Sequence, residues 1–197
     1  MSVRGWTLGA LCAGAIAAAP SAGRADPAVQ GITYAAIPIV LWALFAAEPD
    51  GPQQDYFTFG GGVFDAVDGV DVSGEFRVEY RPGLMLWKVK PFLGMAATGD
   101  GGFYAYGGLR LDAYFGRRIV VTPSFALVGY HQGGGKDLGS SGVARSGFDI
   151  AWRFDDDSQL GVAFHHMSHG EVFGDNNPGT EMVAITYSLP LSRIFGR

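Results

Sequence analysis

The chain has 197 residues, room for one domain behind a leader, and carries a net charge of -5 with only 17% charged residues. That charged fraction lies below the usual quarter of soluble domains. An acidic balance with no basic stripe argues against a nucleic-acid partner.

Residues 1–25 read as a secretory signal. Arg4 supplies the positive start, "WTLGALCAGAIAAA" the short apolar run, and "GRA" before Asp26 the small residues of a cleavage site. A membrane anchor is the alternative, but the run is short for a span of roughly 20 residues. A lipoprotein signal is disfavoured by the bulk of Leu11 before Cys12. Cys12 is the one cysteine, so removal of the leader leaves an exported chain without disulfides, as in a bacterial envelope protein held together by other means. Residues 26–54 form a segment of unknown role. Its apolar stretch "ITYAAIPIVLWALFAA" carries Pro38 and fits an interfacial helix, a plug or a late part of the export signal.

Residues 55–197 change to period two. In "SGEFRVEYR", Phe76, Val78 and Tyr80 alternate with Glu75, Arg77, Glu79 and Arg81. In "ARSGFDIAWRF", Phe148, Ile150, Trp152 and Phe154 alternate with Arg145, Asp149 and Arg153. Such alternation predicts strands with one apolar and one polar face. Eight strands are expected, near 55–65, 72–82, 84–98, 102–115, 117–131, 142–154, 157–169 and 180–190. "RPG", "GRR" and "DDDS" are tight connections, whereas "AVDGVDVS", "HQGGGKDLGSSG" and "HGEVFGDNNPG" are longer and "TGDGG" is intermediate. Short turns at one end and longer loops at the other predict an all-β fold, an eight-stranded antiparallel transmembrane β-barrel of the outer membrane.

Charges placed mid-strand sharpen this expectation. Glu75, Arg77, Glu79, Lys88, Lys90, Arg110, Asp112, Arg145, Asp149 and Arg153 would fill a narrow lumen and pair there, while the apolar faces meet lipid. A soluble lipocalin-like barrel would reverse the two faces. The 31 glycines, the aromatics near strand ends and the export signal favour lipid. Such barrels often end on an aromatic residue. Here the end reads "SRIFGR", with Phe195 close to the terminus but not at it.

The stretch "FHHMSHGEVFGDNNPGTE", residues 164–181, holds three of the four histidines. By strand parity, His166 and Ser168 share a face with Leu160, Val162 and Phe164. Glu181 shares one with Val183, Ile185, Tyr187 and Leu189. Three polar residues therefore fall on the face meant for lipid, at the loop end of one hairpin, where they cost free energy. A nucleophile, its base and the base's orienter would account for them. Residues i and i+2 are neighbours on a strand face, and a residue opposite can reach across.

At these residues the chain resembles the PagL-like lipid A 3-O-deacylases, outer-membrane barrel esterases. Their pattern is His-x-Ser-Asn-(Gly or Ala), a short spacer, then Asn-Pro-Gly-x-Glu. This chain reads "HMSHG" at 166–170 and "NPGTE" at 177–181. The resemblance implies Ser168 as nucleophile, His166 as base and Glu181 as third member, with Asn177 and a backbone N–H near Gly170 binding the oxyanion. His169 stands where the family has asparagine, and the spacer is about one residue longer. The implied substrate is lipid A, or lipopolysaccharide, in the outer leaflet of a Gram-negative outer membrane, approached sideways, with no cofactor. A homodimer is left open.

Other readings of the same residues are blander. A metal site is disfavoured because His165 and His166 point to opposite faces, and His165 and His169 lie roughly 13 Å apart along a strand. His131 reads as a solvated loop residue, and Lys88, Lys90 and Arg110 as interior ion-pair partners. The glycine-rich loop before residue 142 lacks the spacing of a phosphate loop. The functional alternatives are a non-catalytic barrel working through its loops, in adhesion or envelope integrity, and an outer-membrane phospholipase.

Overall fold

The computed structural model describes residues 53–67, 69–170 and 176–195. The expected signal peptide and nearly all of the 26–54 segment lie outside them. Nine strand segments follow one another: β1 (Tyr56–Phe64), β2 (Ser73–Arg81), β3 (Lys90–Thr98), β4 (Phe103–Arg110), β5 (Ala113–Phe115), β6 (Ile119–His131), β7 (Gly142–Arg153), β8 (Gln159–Ser168) and β9 (Thr180–Pro190). A single-turn helix, α1 (Leu191–Phe195), closes the described chain.

Each strand pairs antiparallel with its neighbour, β1 pairs with β9, and β4 pairs with β6, so the sheet closes on itself. β4 and β5 are two parts of one stave, which makes eight staves, as the alternation in the sequence implied. The interruption has a local cause. Leu111 N–H donates to the carbonyl of Pro123 at 3.0 Å. Proline has no N–H to return, and the ladder lapses there.

One expected boundary shifts. The third strand starts at Lys90 rather than near 84, because Leu86 and Val89 close a small hairpin of their own around Trp87 and Lys88. Lys88 is therefore a turn residue and not a mid-strand charge.

The polarity is inverted relative to a soluble barrel. Arg77 and Arg145 are 1% exposed in the lumen, whereas Leu127 and Ile185 are 70% and 65% exposed on the outer wall. The lipocalin-like alternative would require the opposite. Lumen charges are compensated in place. Arg77 Nε donates to Glu75 Oε1 at 2.6 Å, Arg81 Nη2 to Asp149 Oδ2 at 2.5 Å, and Arg145 Nη2 to Glu79 Oε1 at 3.0 Å. The Arg145 guanidinium also lies 3.9 Å from the centre of the Tyr106 ring, an attraction that desolvation strengthens. Breaking one such buried pair would cost about 3–5 kcal/mol.

Both described chain ends lie at the end with the tight turns, where Leu191 N–H donates to the carbonyl of Asp55. Trp87, Phe115, Trp152 and Tyr187 stand on the outer surface near that end, as in an interfacial aromatic girdle. The longer connections gather at the opposite end.

Candidate active site

The outer wall of β8 and β9 near the long loops holds the polar residues that parity singled out. In the register of these strands His166 stands directly opposite Glu181, and on its other side opposite Ser146 of β7. His166 Nδ1 lies 2.8 Å from Glu181 Oε1. A carboxylate can only accept, so this bond places the neutral ring's proton on Nδ1 and leaves Nε2 as the basic atom. That Nε2 is buried and has no hydrogen-bond partner among the described residues; the same is true of Glu181 Oε2. Ser168 is the last residue of β8, half-buried, on the same face as His166. Its hydroxyl makes no hydrogen bond to the imidazole Nε2.

Gly179 is the seat of the imidazole. Its φ is +66°, and a Cβ built there would stand 2.9 Å from His166 Cε1. Only glycine combines that left-handed turn with so close a ring. In the sequence Gly179 reads as the last residue of the long connection "HGEVFGDNNPG". Its contact with the ring was not visible, although a glycine two residues before Glu181 was the available signal.

Asn177 and His169 are joined. The His169 N–H donates to Asn177 Oδ1 at 3.0 Å, and His169 Nε2 lies 2.8 Å from the carbonyl of Asn176. A backbone N–H requires an oxygen acceptor, so the Asn177 amide is oriented with its NH2 turned away from His169. His169 itself is buried. Gly170 has φ +59° and open space around it. Gly139, in the loop between β6 and β7, has φ +75° and lies so close to the Asn176 carbonyl that a Cβ would reach 2.0 Å from it. That loop therefore backs the 176–177 segment. Residues 171–175 of the β8–β9 loop lie outside the described residues.

His165 goes the other way. It is buried in the lumen, with Nδ1 at 2.8 Å from Arg77 Nη1 and Nε2 at 3.5 Å from Asp149 Oδ1. His165 and His166 therefore lie on opposite sides of the wall. Among the described residues no three His, Cys, Asp or Glu side chains converge as a metal-binding group. His131 ends β6, exposed.

Comparison with known proteins bears on the family and the fold. The family described as lipid A 3-O-deacylase (PagL) matches residues 75–190. Among solved structures, the crystal structure of the outer membrane enzyme PagL is similar with a TM-score of 0.54 and 15% identity, covering 68% of this chain and 99% of that one. A de novo designed transmembrane β-barrel is similar with a TM-score of 0.50 and 8% identity, covering 71% of this chain and 98% of the design. At these identities the likeness speaks for the fold. No curated protein matches in sequence.

Proposed function

The chain belongs to the lipid A 3-O-deacylase (PagL) family of the Gram-negative outer membrane, and on that premise we propose that it is a serine esterase that removes an ester-linked acyl chain from lipid A in the outer leaflet. The observation that carries this reading is the 2.8 Å bond between His166 and Glu181 on a lipid-facing wall, with Ser168 two residues further along the same face. A hydrogen-bonded polar couple on the outer side of the wall has no packing advantage. It has a chemical one.

His166 Nε2 takes the proton of Ser168 as its Oγ attacks the ester carbonyl. Glu181 accepts the bond from Nδ1–H and stabilises the imidazolium that forms. The negative oxygen of the tetrahedral intermediate is met by the Asn177 NH2 and the Gly170 N–H. Collapse expels the sugar alkoxide, which takes the proton from His166 and leaves an acyl-serine. Water, deprotonated by His166, attacks that ester and releases the fatty acid with Ser168 restored. His169 replaces the family's asparagine; here its backbone N–H orients Asn177, a task that does not depend on its side chain. The acyl chain lies along the outer wall beside Phe164, Val162 and Val183, so no deep pocket is required.

The test is mass spectrometry of lipid A from cells producing the wild type or Ser168→Ala. We expect loss of one acyl chain with the wild type and an intact pattern with the variant, both proteins folded in the outer membrane. An intact pattern with the wild type, or equal deacylation by the variant, would overturn the proposal. Fatty-acid release from phospholipid with lipid A untouched would move the same chemistry to another lipid.

A further inference from the structure

At the end of β1 lies a side chain that the proposed hydrolysis does not use. Asp65 is fully buried and takes a left-handed φ of 57°, which aspartate tolerates better than most residues. Four donors converge on its carboxylate. Lys136 Nζ at 2.5 Å and Thr180 Oγ1 at 3.3 Å reach Oδ1, while the N–H groups of Val70 and Asp71 reach Oδ2 at 3.1 and 2.9 Å. These donors come from the β6–β7 loop, the first residue of β9 and the β1–β2 loop. The next residue, Ala66, donates its N–H to the carbonyl of Glu181 at 2.9 Å.

This grip falls where the sheet can no longer supply one. The ladder between β1 and β9 ends at Phe64 opposite Met182, one residue short of Glu181. The Glu181 carboxylate, in turn, has His166 as its hydrogen-bond partner, and its second oxygen has none among the described residues. The side chain is thus steered mainly by where its own backbone stands. A carboxylate displaced by about 1 Å would lose its alignment with the ring, and such misplacements cost on the order of a hundredfold in rate.

We propose that Asp65, neutralised by Lys136, is a positioning residue for the His166–Glu181 couple: it holds Thr180 through its side chain and lets Ala66 hold Glu181 through the backbone. This inference rests on the esterase reading for its effect on turnover, but not for its effect on the geometry.

The test pairs kinetics on lipid A in detergent micelles with the NMR signal of the His166 Nδ1 proton in the folded, detergent-solubilised protein. In Asp65→Ala we expect kcat to fall about 10–100-fold with KM within about twofold, and the proton signal to move upfield or vanish. Asp65→Asn keeps the shape and one acceptor oxygen and should recover part of both losses. A folded Asp65→Ala with unchanged kcat and an unshifted proton would overturn the proposal. If that variant fails to fold, Lys136→Met and Thr180→Val each remove one donor and should shift both readouts the same way, less strongly; no shift in either variant would equally overturn it. A shifted proton in a protein whose wild type leaves lipid A untouched would uphold the positioning role and refute the esterase reading.

Discussion

His165 and His166 are adjacent in the chain and share almost nothing else. The first is clasped in the lumen between Arg77 and Asp149, among charges that compensate one another. The second lies on the opposite side of the wall, buried, with Glu181 as its hydrogen-bond partner, and the Nε2 of each ring lacks a hydrogen bond among the described residues. The difference is set by strand parity alone: a shift of one residue would exchange their environments. On the inner wall a histidine is one more polar group among ion-paired side chains. On the outer wall the strand face leading up to it, Val162 and Phe164, is apolar, and Glu181 is its hydrogen-bond partner.

Exchanging the roles of these two residues gives the largest effects. His166→Asn should lower kcat by about 10,000-fold or more and leave the unfolding midpoint in urea nearly unchanged. His165→Leu should do the reverse. It takes one hydrogen-bond partner from Arg77 Nη1 while the Arg77–Glu75 and Arg81–Asp149 pairs remain, costs about 1–3 kcal/mol of stability, and leaves deacylation within a few-fold of wild type. If His165→Leu were the inactive variant and His166→Asn the unstable one, the division between the walls would be wrong.

Next in size is Asn177, the proposed oxyanion donor. Asn177→Ala should reduce kcat about 100–1,000-fold with KM little changed, measured on lipid A micelles; an effect confined to KM would remove Asn177 from the transition state. A smaller effect is expected at the seat of the imidazole. Gly179→Ala forces a Cβ against His166 in a left-handed turn, which costs about 1–2 kcal/mol of local strain. It should slow turnover roughly tenfold if that strain tilts the ring, and a rate equal to wild type would show that the ring is held by Glu181 alone.

The smallest effect lies at the loop end. Burial alone would raise the Asp65 carboxyl, but the Lys136 ion pair and the amides of Asp71 and Val70 outweigh it and hold it below the ordinary carboxylate value. A depressed folded-state value means stability that is fully present above the unfolded pKa, about 3.9, and is lost as pH falls through the folded value. Urea midpoints of the wild type and Asp65→Asn should therefore converge as the medium is acidified below about pH 4. Parallel curves would show that Asp65 is not the group being titrated.

Much of this architecture was legible because a strand writes its two faces into alternate letters. The eight staves, the charged lumen and the outward placement of His166, Ser168 and Glu181 all follow from period two. What parity does not encode stayed hidden. Lys88 looked mid-strand because a tight hairpin at Leu86–Val89 is only a few residues long. The lapse between β4 and β5 depends on Pro123, which sits on a different strand. Asp65 and Lys136 meet across 71 positions, a pairing that neither residue's neighbours in sequence announce. The contact between Gly179 and the His166 ring likewise exists only once β8 and β9 are paired.

The lumen of this barrel is filled by matched ions. Arg81, Glu79, Arg145 and Asp149 occupy the axis with aromatic rings of Tyr104 and Tyr106 beside them. Such a cylinder should be electrically silent: in a planar bilayer it would carry no steady current of the kind a porin passes. The cell can thus station a lipid-editing catalyst within its permeability barrier and keep that barrier sealed.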